Sequence, residues 1–178
     1  MATSGESEVW DFRPGLPMTW EVLRSGGDGE GFEAVNRLDP RMEGPPVHVH
    51  PTAEESYEVR SGTLDVFVDG EWRRLEPGQK AVVPAGVPHT LKNDSDQAVE
   101  IVNVHSPALR FESFFRQMHR LTSRGTMALP PRNHRSLIYA ATLFSSYPEE
   151  IRVVKPPPAV FNALAFVGRR LGYRLDEH

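Results

Sequence analysis

The chain has 178 residues, 39% hydrophobic and 25% charged, with a formal net charge of −4 and no cysteine. That length suits one domain with a substantial core. The acidic balance argues against a nucleic-acid partner, whose binders usually carry a basic face. The lack of cysteine excludes disulfides, thiolate metal sites and a cysteine nucleophile, and it fits a reducing cytoplasm.

The opening "MATSGESEVWDF" has neither a basic start nor an apolar run, so no signal peptide is expected there. No apolar stretch approaches the ~20 residues that span a bilayer. A cytoplasmic protein without membrane contact is the expectation. "SGGDGEG" (25–31) reads as a Gly-rich turn and "FEAVNRL" (32–38) as a strand. "ESYEV" (55–59) alternates, and "TLDVFV" (63–68) and "EWRRL" (71–75) flank Asp69-Gly70, a strong hairpin signal. "KAVVP" (80–84), "PHTLKN" (88–93) and "AVEIVNVH" (98–105) continue the pattern of short strands between Gly and Pro turns. Strands at this spacing predict a sandwich or barrel.

After Pro107 the period changes. Phe111, Phe114, Phe115, Met118 and Leu121 recur at helical spacing up to Gly125. A second helix would place Leu137, Ile138, Ala141 and Phe144 on one face. "KPPP" (155–158) reads as a stiff linker, and a third helix would align Val160, Leu164, Val167 and Leu171 in one stripe. The reading is mainly β: N-terminal strands and a β-barrel over residues 1–107, then a helical extension over 108–178.

Within "PPVHVHPTAEESYEVRSG" (45–62), His48 and His50 are two apart, so in a strand they share a face while Val47 and Val49 take the other. Glu55, Tyr57 and Val59 share a face of the next strand, and Glu54 points elsewhere. Two imidazoles and a carboxylate on a rigid scaffold suit a mononuclear Fe, Mn, Ni, Co or Zn centre. A pair of surface histidines on an edge strand is the competing reading of this stretch alone.

A second stretch, "GQKAVVPAGVPHTLKN", has Gly78, Pro84, Gly86, His89 and Asn93 at fixed offsets. Together the two stretches resemble the paired motifs of the cupin superfamily. His48-Val-His50, Glu55 and Gly62 match the first motif, and residues 78–93 match every position of the second. One position departs: where the family's leading Gly is expected stands Met42, with Gly44 two residues late. The resemblance implies a double-stranded β-helix (jelly roll), with His48, His50, Glu55 and His89 holding one divalent transition metal per subunit. It also implies an oxygenase acting on a small aromatic or enol-type molecule chelated at the metal, with Glu55 as the base. A metal-dependent isomerase, lyase or cyclase, or a binding module without turnover, are the alternatives, because one fold hosts many chemistries.

Other residues are weighed beside these. His105 shares a face with Val99, Ile101 and Asn103, and either contacts substrate near the metal or is a satisfied strand-end histidine. Tyr57 either offers its hydroxyl to substrate or is core. Val59, Val82 and Leu91 are further candidate pocket liners. His119, His134 and His178 are expected to be solvated. "FESFF" resembles the helix that follows the barrel in quercetinase-like single-domain cupins. The apolar surplus of the helices predicts a homodimer, with barrel strands in the interface and the helices outside.

Overall fold

The computed structural model describes residues 8–26 and 30–175. Among these residues eleven strands and three helices follow in order. They are β1 (Glu8–Asp11), β2 (Met18–Arg24), β3 (Phe32–Leu38), β4 (His48–Val49), β5 (Glu54–Ser61), β6 (Leu64–Val68), β7 (Glu71–Leu75), β8 (Lys80–Val83), β9 (His89–Lys92), β10 (Val99–Ser106), α1 (Phe111–Ser123), α2 (His134–Ser146), β11 (Arg152–Val153) and α3 (Pro158–Arg170). The strands form two antiparallel sheets rather than one closed barrel, ordered β1-β2-β3-β10-β5-β8 and β11-β4-β9-β6-β7. The architecture is a jelly roll with helices against it.

Turn chemistry sets the register. Asp69 and Gly70 both have positive φ, 48° and 94°, as a two-residue type I′ hairpin between β6 and β7 requires. Gly44 makes a different demand: a Cβ there would lie 1.5 Å from the Leu91 carbonyl oxygen. The displaced glycine is therefore the point at which the chain leading into β4 presses on β9. Asn93 ties off the second motif, its Nδ2 donating to the carbonyls of Asp39 (2.9 Å) and Gln97 (2.7 Å).

The helical extension is less separate than expected. α1 buries Phe111, Phe114, Phe115, Met118 and Leu121, the stripe read from sequence. It seats them on the six-stranded sheet, with Phe115 4.3 Å from Trp20 and 5.5 Å from Phe32 between ring centroids. β11, which comes after α2, returns to pair with β4 and becomes an edge of the second sheet.

Two helical faces differ from expectation. α3 buries Phe161, Ala165 and Gly168, while Val160, Val167 and Leu171 are exposed. The small residues decide this, since a Cβ on Gly168 would lie 2.4 Å from Ile138 Cγ2, so α3 approaches α2 along its Ala/Gly line. In α2 Leu137 is exposed, and the buried face is Ala140, Ala141, Leu143 and Phe144. His119 is not solvated either: it is half-buried, stacked 6.2 Å from Trp10 with Phe12 edge-on at 5.5 Å. His134 is exposed, and His178 lies outside the described residues. Among the described residues no helix is long and apolar enough to cross a membrane.

Candidate metal centre

Both sheets contribute to one buried cluster. His48 on β4 pairs across the second sheet with His89 on β9, and His50 follows directly after β4. Glu55 comes from β5 of the first sheet, where its partner on β10 is His105. One ligand atom each from His48, His50, Glu55 and His89 lies within 4.8 Å of the others, and all four residues are buried. The motifs are also tied by backbone, with Gly86 N–H donating to the His50 carbonyl at 2.8 Å.

The imidazoles are oriented from behind. His48 Nδ1 lies 2.8 Å from the Pro46 carbonyl, His89 Nδ1 2.8 Å from Val87, and His50 Nδ1 2.5 Å from Glu150. A carbonyl oxygen only accepts, so each Nδ1 carries the proton and each neutral ring turns an Nε2 lone pair inward. Yet Nε2 of His50 and of His89 lie 3.0 and 2.8 Å from Glu55 Oε2. Lone pairs facing a carboxylate at that distance repel unless a cation, a proton or a metal ion, lies between them. Backbone carbonyls that lock imidazole tautomers are the usual support of metal-binding histidines. The residues therefore fit a divalent metal.

Charge in the cluster follows the same geometry. Burial opposes ionisation of Glu55, but His105 and His50 outweigh it and hold the carboxyl well below its usual range. Burial and the neighbouring His89 and His50 push His48 well below the ordinary histidine value. Burial also opposes a charge on His89, but the contact with Glu55 prevails and raises it.

The cluster holds two residues beyond the four. His105 Nε2 is 3.1 Å from Glu55 Oε1, and Asn103 Nδ2 donates to the same oxygen at 2.8 Å. His105 is thus part of the site, facing the carboxylate rather than completing the ligand group. Its Nδ1 has no partner, its ring lies 4.2 Å from Phe111, and burial lowers its pKa. Asn103 is placed on the His105 face in sequence but given no role there, because an amide on an inward strand face looks like any buried polar residue. Tyr57 is buried, and burial together with the Glu55 charge keeps its hydroxyl protonated well above the usual range.

A largely apolar cavity adjoins the cluster, lined by Tyr57 and Leu91 and by Trp20, Met42, Phe114 and Phe115. Val82 is not a liner: it is exposed, because β8 turns Ala81 and Val83, the register partners of Tyr57 and Glu55, to the inner face and Val82 to the outer one. Val59 is buried in the core away from the cavity lining.

Two facing antiparallel sheets that bury His48, His50, Glu55 and His89 from two short motifs define a cupin-type jelly roll whose buried group could hold a metal ion. Residues 35–105 match the family model for the Cupin domain (Cupin_2), and this segment is a cupin domain. Over 74 residues the chain is 36% identical to quercetin 2,3-dioxygenase of Bacillus subtilis (strain 168); the match takes in 42% of this chain and 18% of that enzyme's length. An RmlC-like cupin from Shewanella frigidimarina NCIMB 400 superposes with a TM-score of 0.52 at 22% identity, over 62% of this chain and 93% of that one. KdgF from a Halomonas species gives a TM-score of 0.50 at 22% identity, covering 57% and 87%. At such identities the likeness to these two structures is one of fold.

Proposed function

We propose that the protein is a metal-dependent oxygenase acting on a small aromatic or enol-type molecule that binds through its own oxygens. The observation that carries this is the convergence of three inward Nε2 lone pairs and one carboxylate oxygen beside an apolar, aromatic-lined cavity. The partial likeness to a quercetin dioxygenase supports the same direction. Fe, Ni, Co, Mn or Zn would be held by His48, His50, Glu55 and His89, supplying Lewis-acid chemistry and, for a redox-active ion, reaction with O2.

The chain's own residues orient and deprotonate. Asn103 and His105 occupy Glu55 Oε1, which leaves Oε2, the oxygen that faces the imidazoles, to hold the ion and, once swung off it, to take a substrate proton. Tyr57, protonated at neutral pH, offers a hydroxyl donor rather than a base. Phe114 and Phe115, both buried, give the cavity an apolar wall.

Oxygen uptake by the Fe, Co and Ni forms, measured against flavonols and catechols, tests the proposal. Consumption of O2 with one member of the panel, abolished by chelator, is the expected result. Zinc in the purified protein with no O2 uptake by any reconstituted form would refute the oxygenase.

A further inference from the structure

Among the described residues two carboxylates are buried, Glu55 in the cluster and Glu150 in the turn that follows α2. A buried charge is unfavourable unless it is paired, and a buried ion pair fixes geometry more surely than it adds stability. The partner of Glu150 is Arg110, the residue before α1. Its backbone N–H and Nε donate to Oε1 at 3.2 and 3.1 Å, and Nη2 donates to Oε2 at 3.3 Å. A guanidinium fork meets both carboxylate oxygens in this way, which an ammonium cannot do. The same Nη2 donates to the Ser146 carbonyl at 3.3 Å, and the guanidinium lies 4.8 Å from the Tyr147 ring centroid. One side chain thus gathers Ser146, Tyr147 and Glu150.

That turn carries the acceptor for His50. The Glu150 carbonyl lies 2.5 Å from His50 Nδ1, and Ile151 N–H, on the other side of the same peptide group, donates to the Tyr147 carbonyl at 3.0 Å. A peptide group is planar, so holding Tyr147 and Glu150 sets the direction of that carbonyl. β11 begins only at Arg152, which leaves this peptide outside its ladder with β4. His48 and His89 need no such support, because their acceptors, Pro46 and Val87, stand two residues before them. Phe111, next to Arg110, adds an edge-on ring 5.1 Å from His50. Of the three imidazoles in the ligand group, His50 alone is aimed by the helical extension.

We propose that Arg110 is a positioning residue of the metal centre. It holds the turn through Glu150, so that the Glu150 carbonyl keeps His50 in its Nδ1–H tautomer with Nε2 turned to the ion. The inference rests on the metal-binding part of the reading above and not on the oxygenase chemistry. It makes the helical extension, which lies beyond the cupin segment, a working part of the centre.

Arg110→Ala alone would leave the Glu150 carboxylate buried and unpaired, so the test uses Arg110→Ala/Glu150→Met, which removes both charges and keeps the backbone carbonyl. The Arg110 side chain is 57% exposed, so its loss opens no interior cavity. Co2+ affinity, read by competition with a chromogenic chelator, should fall by about tenfold, the low end of the effect of groups that orient a ligand from behind. In zinc-loaded, 15N-labelled protein the His50 Nδ1–H should exchange with water about tenfold faster than in the parent, while those of His48 and His89 keep parental rates. A general loss of stability would move all three alike. Should the double variant fail to fold, Arg110→Lys, which keeps the charge and loses the fork, makes the same comparison. An unchanged His50 proton, an unchanged Co2+ affinity, or equal changes at all three imidazoles overturns the role of Arg110 and leaves the metal centre standing. A parent that binds neither Co2+ nor zinc overturns both.

Discussion

Glu55 has both oxygens engaged, Oε2 by His50 and His89 and Oε1 by Asn103 and His105. Groups that orient a ligating carboxylate from behind typically contribute 10–100-fold to metal affinity. Asn103→Leu and His105→Phe should therefore each weaken binding of Co2+ by about that factor, read by competition with a chromogenic chelator. Variants that bind Co2+ as tightly as the parent would remove both residues from the site. Acid sensitivity belongs to the same residues. His48 and His105 are held below the ordinary value of 6.5, so below that pH the unfolded chain binds more protons and stability falls. His89, raised by Glu55, acts oppositely: its contribution is full below 6.5 and is lost as pH rises through its folded value. Glu55, depressed, contributes above 4.5 and is lost as pH drops toward its folded value. With two lowered imidazoles against one raised, the metal-free protein should melt at lower temperature at pH 5.5 than at pH 7.5. Equal melting temperatures would contradict the charge assignment.

β4 has only two residues, yet it carries His48 and is paired on both sides, by β9 and by β11. Its placement depends on Gly44, whose missing side chain lets the chain meet the Leu91 carbonyl. Gly44→Ala must part those backbones, so both stability and metal content should drop, the first by more than the ~1 kcal/mol typical of point variants. A folded alanine variant with full metal occupancy would show that the close approach is dispensable. This element also marks how far the sequence can be read. Strand alternation puts His48 and His50 on one face, and the resemblance to the paired cupin motifs is what joined Glu55 and His89 to them. The Glu150 carbonyl that orients His50 was not legible, since a backbone acceptor 100 residues away leaves no residue-type signal. α3 misled for a related reason: Val160, Val167 and Leu171 have the right period, but Ala165 and Gly168 make the closer contact. His105 stood between substrate contact and strand end, and sequence could not show the pairing that sets its Nε2 3.1 Å from Glu55 Oε1.

At the scale of the molecule, the outward stripe of Val160, Val167 and Leu171, with Phe166 beside it, leaves apolar surface uncovered on one chain. Contiguous patches of this kind mark interaction faces. A homodimer remains the prediction, with α3 now a candidate for its interface beside the strands. Sedimentation at micromolar concentration should give about twice the 20.0 kDa chain mass; a single-chain mass would contradict it. The central claim is that one buried His–His–Glu–His cluster joins the two sheets through a metal ion. Elemental analysis of the purified protein beside its His48→Ala/His50→Ala double variant tests this most directly. About one divalent transition metal per chain in the parent and nearly none in the folded double variant is the predicted result. Equal occupancy in the two, or a parent that takes up no metal on reconstitution, would contradict it.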